Sequence, residues 1–229
     1  TDTRSIDGVS LRDDGIAVVS PGGKILAEYS LTEILLNNGY KGLVFGVGEF
    51  EWDRYHLNDA QPLLGKEARE GLLLSMRNLS SVALFMPANG RIAWLHTGPW
   101  LNQHDIDDLG NGKYSIFSNN WVRDELILGG FSQIYIFNPT TMQIDTPYSA
   151  VLGQSNLVTE TGGRVQILSN GDAFIEETNK NRMVRVSRDN IRWEYVNSAT
   201  DKTTATLNFS RYLPHGSFNI DWLDTAHCQ

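Results

Sequence analysis

Four times along the chain a turn-and-strand unit is followed by a second turn and a second strand, and this recurrence restricts the fold more than any single motif. The leading units are LRDDGIAVVS (11–20), GLLLSMRN (71–78), LGNGKYSIFSNN (109–120) and LSNGDAFIEETN (168–179). Their followers are PGGKILAEYS (21–30), ANGRIAWLHTG (88–98), TTMQIDTPYS (140–149) and RDNIRWEYVN (188–197). Ile25, Ile92, Ile144 and Ile191 occupy matching places, at intervals of 67, 52 and 47 residues. Alternation at period two between turns marks strands, and repeats of roughly 40–50 residues mark propeller blades. The expectation is an all-β chain of four-stranded antiparallel β-propeller blades near 1–50, 51–98, 99–152 and 153–200. Residues 201–229 are left to supply a closing strand and a C-terminal segment. Closed propellers typically have 4 to 8 blades, so four repeats predict a portion of a larger ring.

Insertions explain the uneven intervals. LTEILLNNG (31–39) predicts a short helix that buries Leu31, Ile34 and Leu35 and ends at Gly39. WVRDELILGGF (121–131) reads as an excursion between strands, with Trp121 and Leu126 on the blade rim. Beyond residue 200 the pattern predicts one strand, a Pro-containing loop and a short terminal helix. An open propeller exposes unpaired strand edges, so a second copy or a partner chain is expected to complete it.

Composition removes several function classes. A 229-residue chain of 25.6 kDa suits one domain. Its net charge of -8 and pI near 5.1 argue against nucleic acid as a partner, since phosphates call for a basic stripe. The single cysteine, Cys228, allows neither an intrachain disulfide nor a thiolate metal site, and leaves the redox compartment open. No apolar run reaches the ~20 residues that span a bilayer. The first residue is Thr1 and no signal peptide is visible, which is the expectation for a removed leader or a longer N-terminal portion.

Reactive side chains gather in GPWLNQHDIDDLGNGKYSIFSNN (98–120). Asn111-Gly112 suits a tight hairpin turn, Ile106 and Leu109 end the strand before it, and Tyr114 and Ile116 begin the alternation after it. His104 and Asp105 stand where the approaching strand starts. His56, in YHLNDAQPLL (55–64), is read as the same point of the preceding blade, with Asn58 two residues on and Arg77 on the returning strand. First strands line a propeller's channel, so these groups are expected to converge. Arg offers a fixed fork of donors, Asn a neutral donor, and neutral imidazole a nucleophile or general base. Structural roles compete with these: His104 and His56 as hydrogen-bonding ties between blades, and Arg77 as the buried partner of Asp59 or Asp105. His96, His215 and His227 match no site pattern and read as surface residues. Trp94, Trp193 and Tyr195 are expected to pack between blades, and Trp100, near the His104 loop, to hold an aromatic ring. An EF-hand reading of Asp105, Asp107 and Asp108 fails, because Leu109 and Ile116 fall where oxygen ligands belong.

HLND followed by SMRN, then GPWLNQHD with NGKYSIFSNN, then GGRVQILSNG with IRWEYVN, resembles the arylsulfotransferase family over roughly residues 50–200. Its members are bacterial enzymes that need no activated nucleotide donor and are built on six-bladed propellers. The resemblance implies transfer of a sulfuryl group from a phenolic sulfate ester to a phenol through a sulfohistidine. It implies His104 as nucleophile, with His56, Asn58 and Arg77 binding the sulfuryl oxygens, no metal or other cofactor, and a periplasmic or secreted setting. The family carries a further histidine in the preceding blade, and the matching place here is Asp7, in SIDGVSLRDDG. A carboxylate there repels sulfate unless it is protonated or paired with Arg4 or Arg164. Two alternatives remain open: a mixed metal site of His56, His104 and Asp7, and a noncatalytic propeller acting as a binding or structural module in a larger assembly.

Overall fold

The computed structural model describes residues 2–6, 8–48, 50–63, 71–123, 126–200, 203–214 and 216–217. Asp7, His215, His227, Cys228 and the expected terminal helix lie outside the described residues.

The chain is all-β, with propeller blades as its units. One four-stranded antiparallel sheet runs β5 (Leu57–Leu63), β6 (Gly71–Met76), β7 (Ser81–Met86) and β8 (Arg91–Thr97), each paired with its predecessor. A second consists of β9 (Asp105–Gly110), β10 (Lys113–Ser118), β13 (Gln133–Asn138) and β14 (Gln143–Asp145). Between its second and third strands sits a hairpin of β11 (Trp121–Arg123) and β12 (Leu126–Ile127). The third contains β15 (Arg164–Ile167), β16 (Ala173–Glu177), β17 (Arg182–Val186) and β18 (Ile191–Val196), preceded by helix α3 (Ser149–Gln154). Ile92, Ile144 and Ile191 all sit on fourth strands, at equal register against Phe85, Phe137 and Val186.

The first fifty residues differ from the expected fourth sheet. β1 (Asp2–Ile6) pairs with β2 (Val9–Asp13), and β3 (Gly15–Val19) with β4 (Ile25–Ser30), in two separate ladders. Only Asp14 separates β2 from β3, and a hairpin needs at least two turn residues. The Asp14 carbonyl instead accepts from Leu31 N–H at 2.9 Å, directing the chain into helix α1 (Leu31–Asn37). Ser30 caps that helix by accepting from Glu33 N–H, and Gly39 follows it with φ 84°. A second short helix, α2 (Lys41–Phe45), packs beside it. After residue 197 the chain makes a small hairpin, β19 (Ser198–Thr200) with β20 (Thr203–Thr204), then continues without regular structure through the described residues.

Both faces of the middle strands are covered, which is why β6 reads as a continuous apolar run. Leu72, Leu74 and Met76 enter the core shared with α1 and α2, while Leu73 points to the next sheet, among Val82, Ile106, Ile116 and Phe137. From β10, Tyr114 and Ile116 face that same layer and Phe117 the following one, with Ile134, Val165, Ile175 and Val184. Each such side chain contributes about 1.5–3 kcal/mol, so adjacent sheets are bound mainly through these layers. Trp94 packs between sheets on Tyr114 as expected, with ring centroids 5.1 Å apart. His96 also packs there, against Trp94 and edge-on to Phe137, and is no free surface residue. Trp193 and Tyr195 do not pack between blades: they lie on the outward strand β18, 38% and 49% exposed.

Candidate functional site

The first strands β5, β9 and β15 lie side by side, joined by side chains bonded to the neighbouring backbone. Asp59 Oδ2 accepts from Ile106 N–H at 3.2 Å, Asp105 Oδ2 accepts from Val165 N–H at 2.9 Å, and Asn58 Nδ2 donates to the Gln103 carbonyl at 2.7 Å. Asp59 and Asp105 thus make the same bond one blade apart.

That equivalence corrects the alignment of the two histidines. Asp59 pairs with Ser75 and Asp105 with Phe117, so Asn58 stands where His104 stands in the next sheet. His56 corresponds instead to Asn102. Both have φ 50°, and both follow a residue whose carbonyl accepts from the N–H of Asn78 or Asn120. The offset between the two blades is constant at this entrance, 46 residues for His56 and Asn102, Asn58 and His104, and Asp59 and Asp105, so His56 falls two residues before the His104 position, ahead of β5. On the returning side, Arg77 and Asn119 are equivalent.

His104 is held by Asn119. Its Nδ1 lies 2.7 Å from Asn119 Oδ1 and 3.3 Å from the Asn102 carbonyl. Asn119, fully buried, donates through Nδ2 to the carbonyls of Thr159 and Gly162, both at 2.9 Å. Carbonyls only accept, so the amide orientation is determined, and the oxygen facing His104 must be an acceptor. Nδ1 therefore carries the proton, and Nε2 keeps its lone pair. Burial lowers the His104 pKa to about 4; the Asn119 bond opposes this, and the charges of Arg77 and His56 lower it further. His104 is neutral at physiological pH.

Arg77 pairs with neither Asp59 nor Asp105. Its Nη1 donates to Asn78 Oδ1 at 3.0 Å, and its guanidinium lies over the Trp121 ring, 5.5 Å from the centroid. Trp121 is thus a neighbour of the site, not a rim residue, a contact that nothing within a few residues of it in sequence signals. Burial lowers the Arg77 pKa, with Asp53 opposing. His56 is oriented by Asp53, whose Oδ2 sits 2.7 Å from Nδ1. Arg4, offered as a partner for Asp7, engages Glu33 at 2.7 Å, and Arg164 engages Asp105 at 3.4 Å. Among the described residues, the buried Nε atoms of Arg77 and Arg164 and the buried Oδ1 of Asn58 have no hydrogen-bond partner.

Trp100 is not at the cavity. It is 1% exposed and packs on Tyr135 and Phe137 in the layer between the first and second four-stranded sheets, so its ring cannot meet a substrate. Glycine next to it is required, since a Cβ on Gly98 would stand 2.4 Å from the indole.

A cavity of about 120 Å³ brings together Asn58, His104, Gly163, Arg164, Glu176 and Phe209. Asp59 also lines it, and three neighbouring first-strand carboxylates are raised by burial. Asp59 reaches about 6; Asp105 and Asp107 are also raised, and the Arg164 charge opposes but does not cancel the effect. Among the described residues no group of three or more His, Cys, Asp or Glu is placed to hold a metal ion.

The raised Asp59 has a stability consequence. Between roughly pH 4 and 6 the folded chain holds a proton that the unfolded chain has lost, so stability falls as pH rises through that window. Asp59→Asn keeps an acceptor for Ile106 N–H and removes the penalty. A gain on the order of 2 kcal/mol at pH 7, vanishing near pH 4, is expected from urea midpoints across that range. Equal pH slopes for the two proteins would contradict the assignment.

A family model for arylsulfotransferases matches residues 4–198 of the chain. No curated protein matches it. Among solved structures, the crystal structure of the WD40 β-propeller domain of Doa1 is similar, at 15% identity and a TM-score of 0.42 over 61% of this chain. This chain spans 40% of that structure's length.

Proposed function

The chain belongs to the arylsulfotransferase family, and we propose that it transfers a sulfuryl group from a phenolic sulfate ester to a phenol through His104. His104 Nε2 attacks the sulfur, the bond from sulfur to the aryl oxygen breaks, and its electron pair leaves with the phenolate. A deprotonated phenol then attacks the same sulfur, the N–S bond breaks, and the imidazole recovers its lone pair. Such transfers pass through loose arrangements with charge on the peripheral oxygens, which positioned cations and N–H donors stabilise. Arg77 supplies that charge, with an Nε that has no hydrogen-bond partner among the described residues. Asn58 is a lesser donor, since one of its N–H groups already serves Gln103, and His56 adds an imidazole oriented by Asp53. The observation that carries the reading is the Asn119 amide, whose fixed orientation leaves a neutral imidazole with its proton on Nδ1 and a lone pair on Nε2.

Phenolic sulfate and phenol are the partners this reading requires, and the family's extracytoplasmic setting supports a periplasmic or secreted place. Among the described residues no helix is long and apolar enough to cross a membrane.

The direct test is to incubate the chain with 4-nitrophenyl sulfate and a phenol, quench, and weigh the peptide containing His104. A mass increase of one sulfuryl group on that peptide is expected. If aryl sulfate is consumed with no such adduct, the covalent route through His104 is wrong; if neither adduct nor product forms, the noncatalytic reading replaces this one.

Because His104 is already neutral well below its ordinary range, kcat/KM should stay level down to about pH 5 and fall near pH 4. An acid limb at the ordinary imidazole value of 6.5 would show that the nucleophile is a different group.

A further inference from the structure

Phe209 is held in a conformation that its own chemistry disfavours. Its φ is 62°, the left-handed region, where a bulky side chain is strained. Its ring is 72% exposed, yet one side lies over the Arg164 guanidinium, 5.6 Å from centroid to Cζ, at the cavity that contains His104. Irregular segments ordinarily leave their backbone untied; this one is tied on both sides of Phe209. Ser210 N–H donates to Glu176 Oε2, Tyr212 N–H to Gln166 Oε1 at 3.0 Å, and Arg185 Nη1 to Tyr212 Oη at 3.1 Å. On the other side, Leu207 N–H donates to Asn181 Oδ1 at 3.2 Å. The segment is therefore fastened to the third four-stranded sheet on both sides of Phe209, and the strained residue is the one presented to the cavity. Opposite it, Gly162 and Gly163 carry no side chains, and a Cβ on Gly163 would stand 2.4 Å from the Phe117 ring.

We propose that Phe209 is the specificity-determining wall of an aryl subsite, against which the ring of the sulfate ester or acceptor phenol stacks while its oxygen faces His104. The assignment rests on the sulfuryl-transfer reading for the identity of the ring, and it gives this site the aromatic surface that buried Trp100 cannot provide. Stacked aromatic pairs contribute beyond the area they bury, so removal of the ring should weaken binding of a phenol about tenfold.

The test measures binding without turnover. Fluorescence titration of the full chain with 4-methylumbelliferone, a phenol, is compared with calorimetric titration by inorganic sulfate, for the wild type and for Phe209→Ala, Phe209→Leu and Phe209→Tyr. The expected result is about tenfold weaker phenol binding for alanine, an intermediate loss for leucine, near wild-type binding for tyrosine, and sulfate affinity equal in all. Wild-type phenol affinity in the alanine variant overturns the proposal, as does absence of phenol binding by the wild type. Parallel loss of phenol and sulfate in the leucine variant, which preserves bulk, also overturns it. Phenol binding that depends on Phe209 in a chain that never forms sulfohistidine keeps the subsite and removes only the transfer reaction. A sulfohistidine that forms while phenol binding ignores Phe209 does the reverse.

Discussion

His104→Ala is expected to abolish aryl sulfate turnover, with kcat/KM falling by roughly 10⁴-fold or more, the scale seen when a covalent nucleophile is removed. The loss should be almost wholly in kcat, because the groups proposed to bind the ester remain. Arg77 stays over Trp121, and His56 stays on Asp53. Stability should fall by about 1–3 kcal/mol, since Asn119 keeps its bonds to the Thr159 and Gly162 carbonyls but its buried Oδ1 loses the imidazole N–H. Added imidazole should restore part of the rate by occupying the vacated space. The comparison is a steady-state assay with 4-nitrophenyl sulfate for both proteins, alongside thermal melts. Turnover in the variant within tenfold of wild type would end the role assigned to His104, whatever the adduct analysis showed.

Substitution of Asn119 is expected to produce the next largest effect, on both stability and rate. Asn119→Ala removes three hydrogen bonds: the half-buried Gly162 carbonyl loses its partner, the Thr159 carbonyl keeps only the longer bond from Ser132, and His104 Nδ1 keeps only the longer contact with the Asn102 carbonyl. With about 1 kcal/mol for each bond lost, a decrease on the order of 3 kcal/mol in folding is expected from urea denaturation. Asn119→Asp separates positioning from packing. It keeps the shape but sets a carboxylate oxygen against two carbonyls and a negative charge beside the imidazole. The charge raises the His104 pKa from about 4, so the imidazole is protonated over more of the acid range and the acid limb of the rate profile moves upward. A merely structural Asn119 would leave that limb in place while stability fell. NMR titration of the His104 ring, showing the same pKa in wild type and Asn119→Asp, would refute the positioning role.

Much of the hub was visible before the structure, because its clues are short-range. Asn111-Gly112 takes φ 54° and 69°, as a tight hairpin turn demands of those two residues. His104 and Asp105 do stand at the entrance of a first strand. The partners of these residues were not visible, since they come from distant parts of the chain: Asn119 from beyond the returning strand, and Val165 from the next sheet. Asn119 reaches Thr159, 40 residues on, and Phe209 meets Arg164 from beyond the last blade. Matching histidine to histidine also put His56 at the place of His104 in the preceding blade, whereas the strand pairing puts Asn58 there and His56 two residues earlier.

What the sequence determined by itself was the repeating strand-and-turn unit, the capped helix at 31–37, and the residue types available for anion chemistry, because turn and cap preferences act over two to five residues. Only the tertiary structure decided which nitrogen of His104 carries the proton, that Trp100 is core and Phe209 is surface, and that Arg77 faces Trp121. Each of those depends on the register and packing between sheets, where a shift of one residue exchanges the inside and outside of a strand.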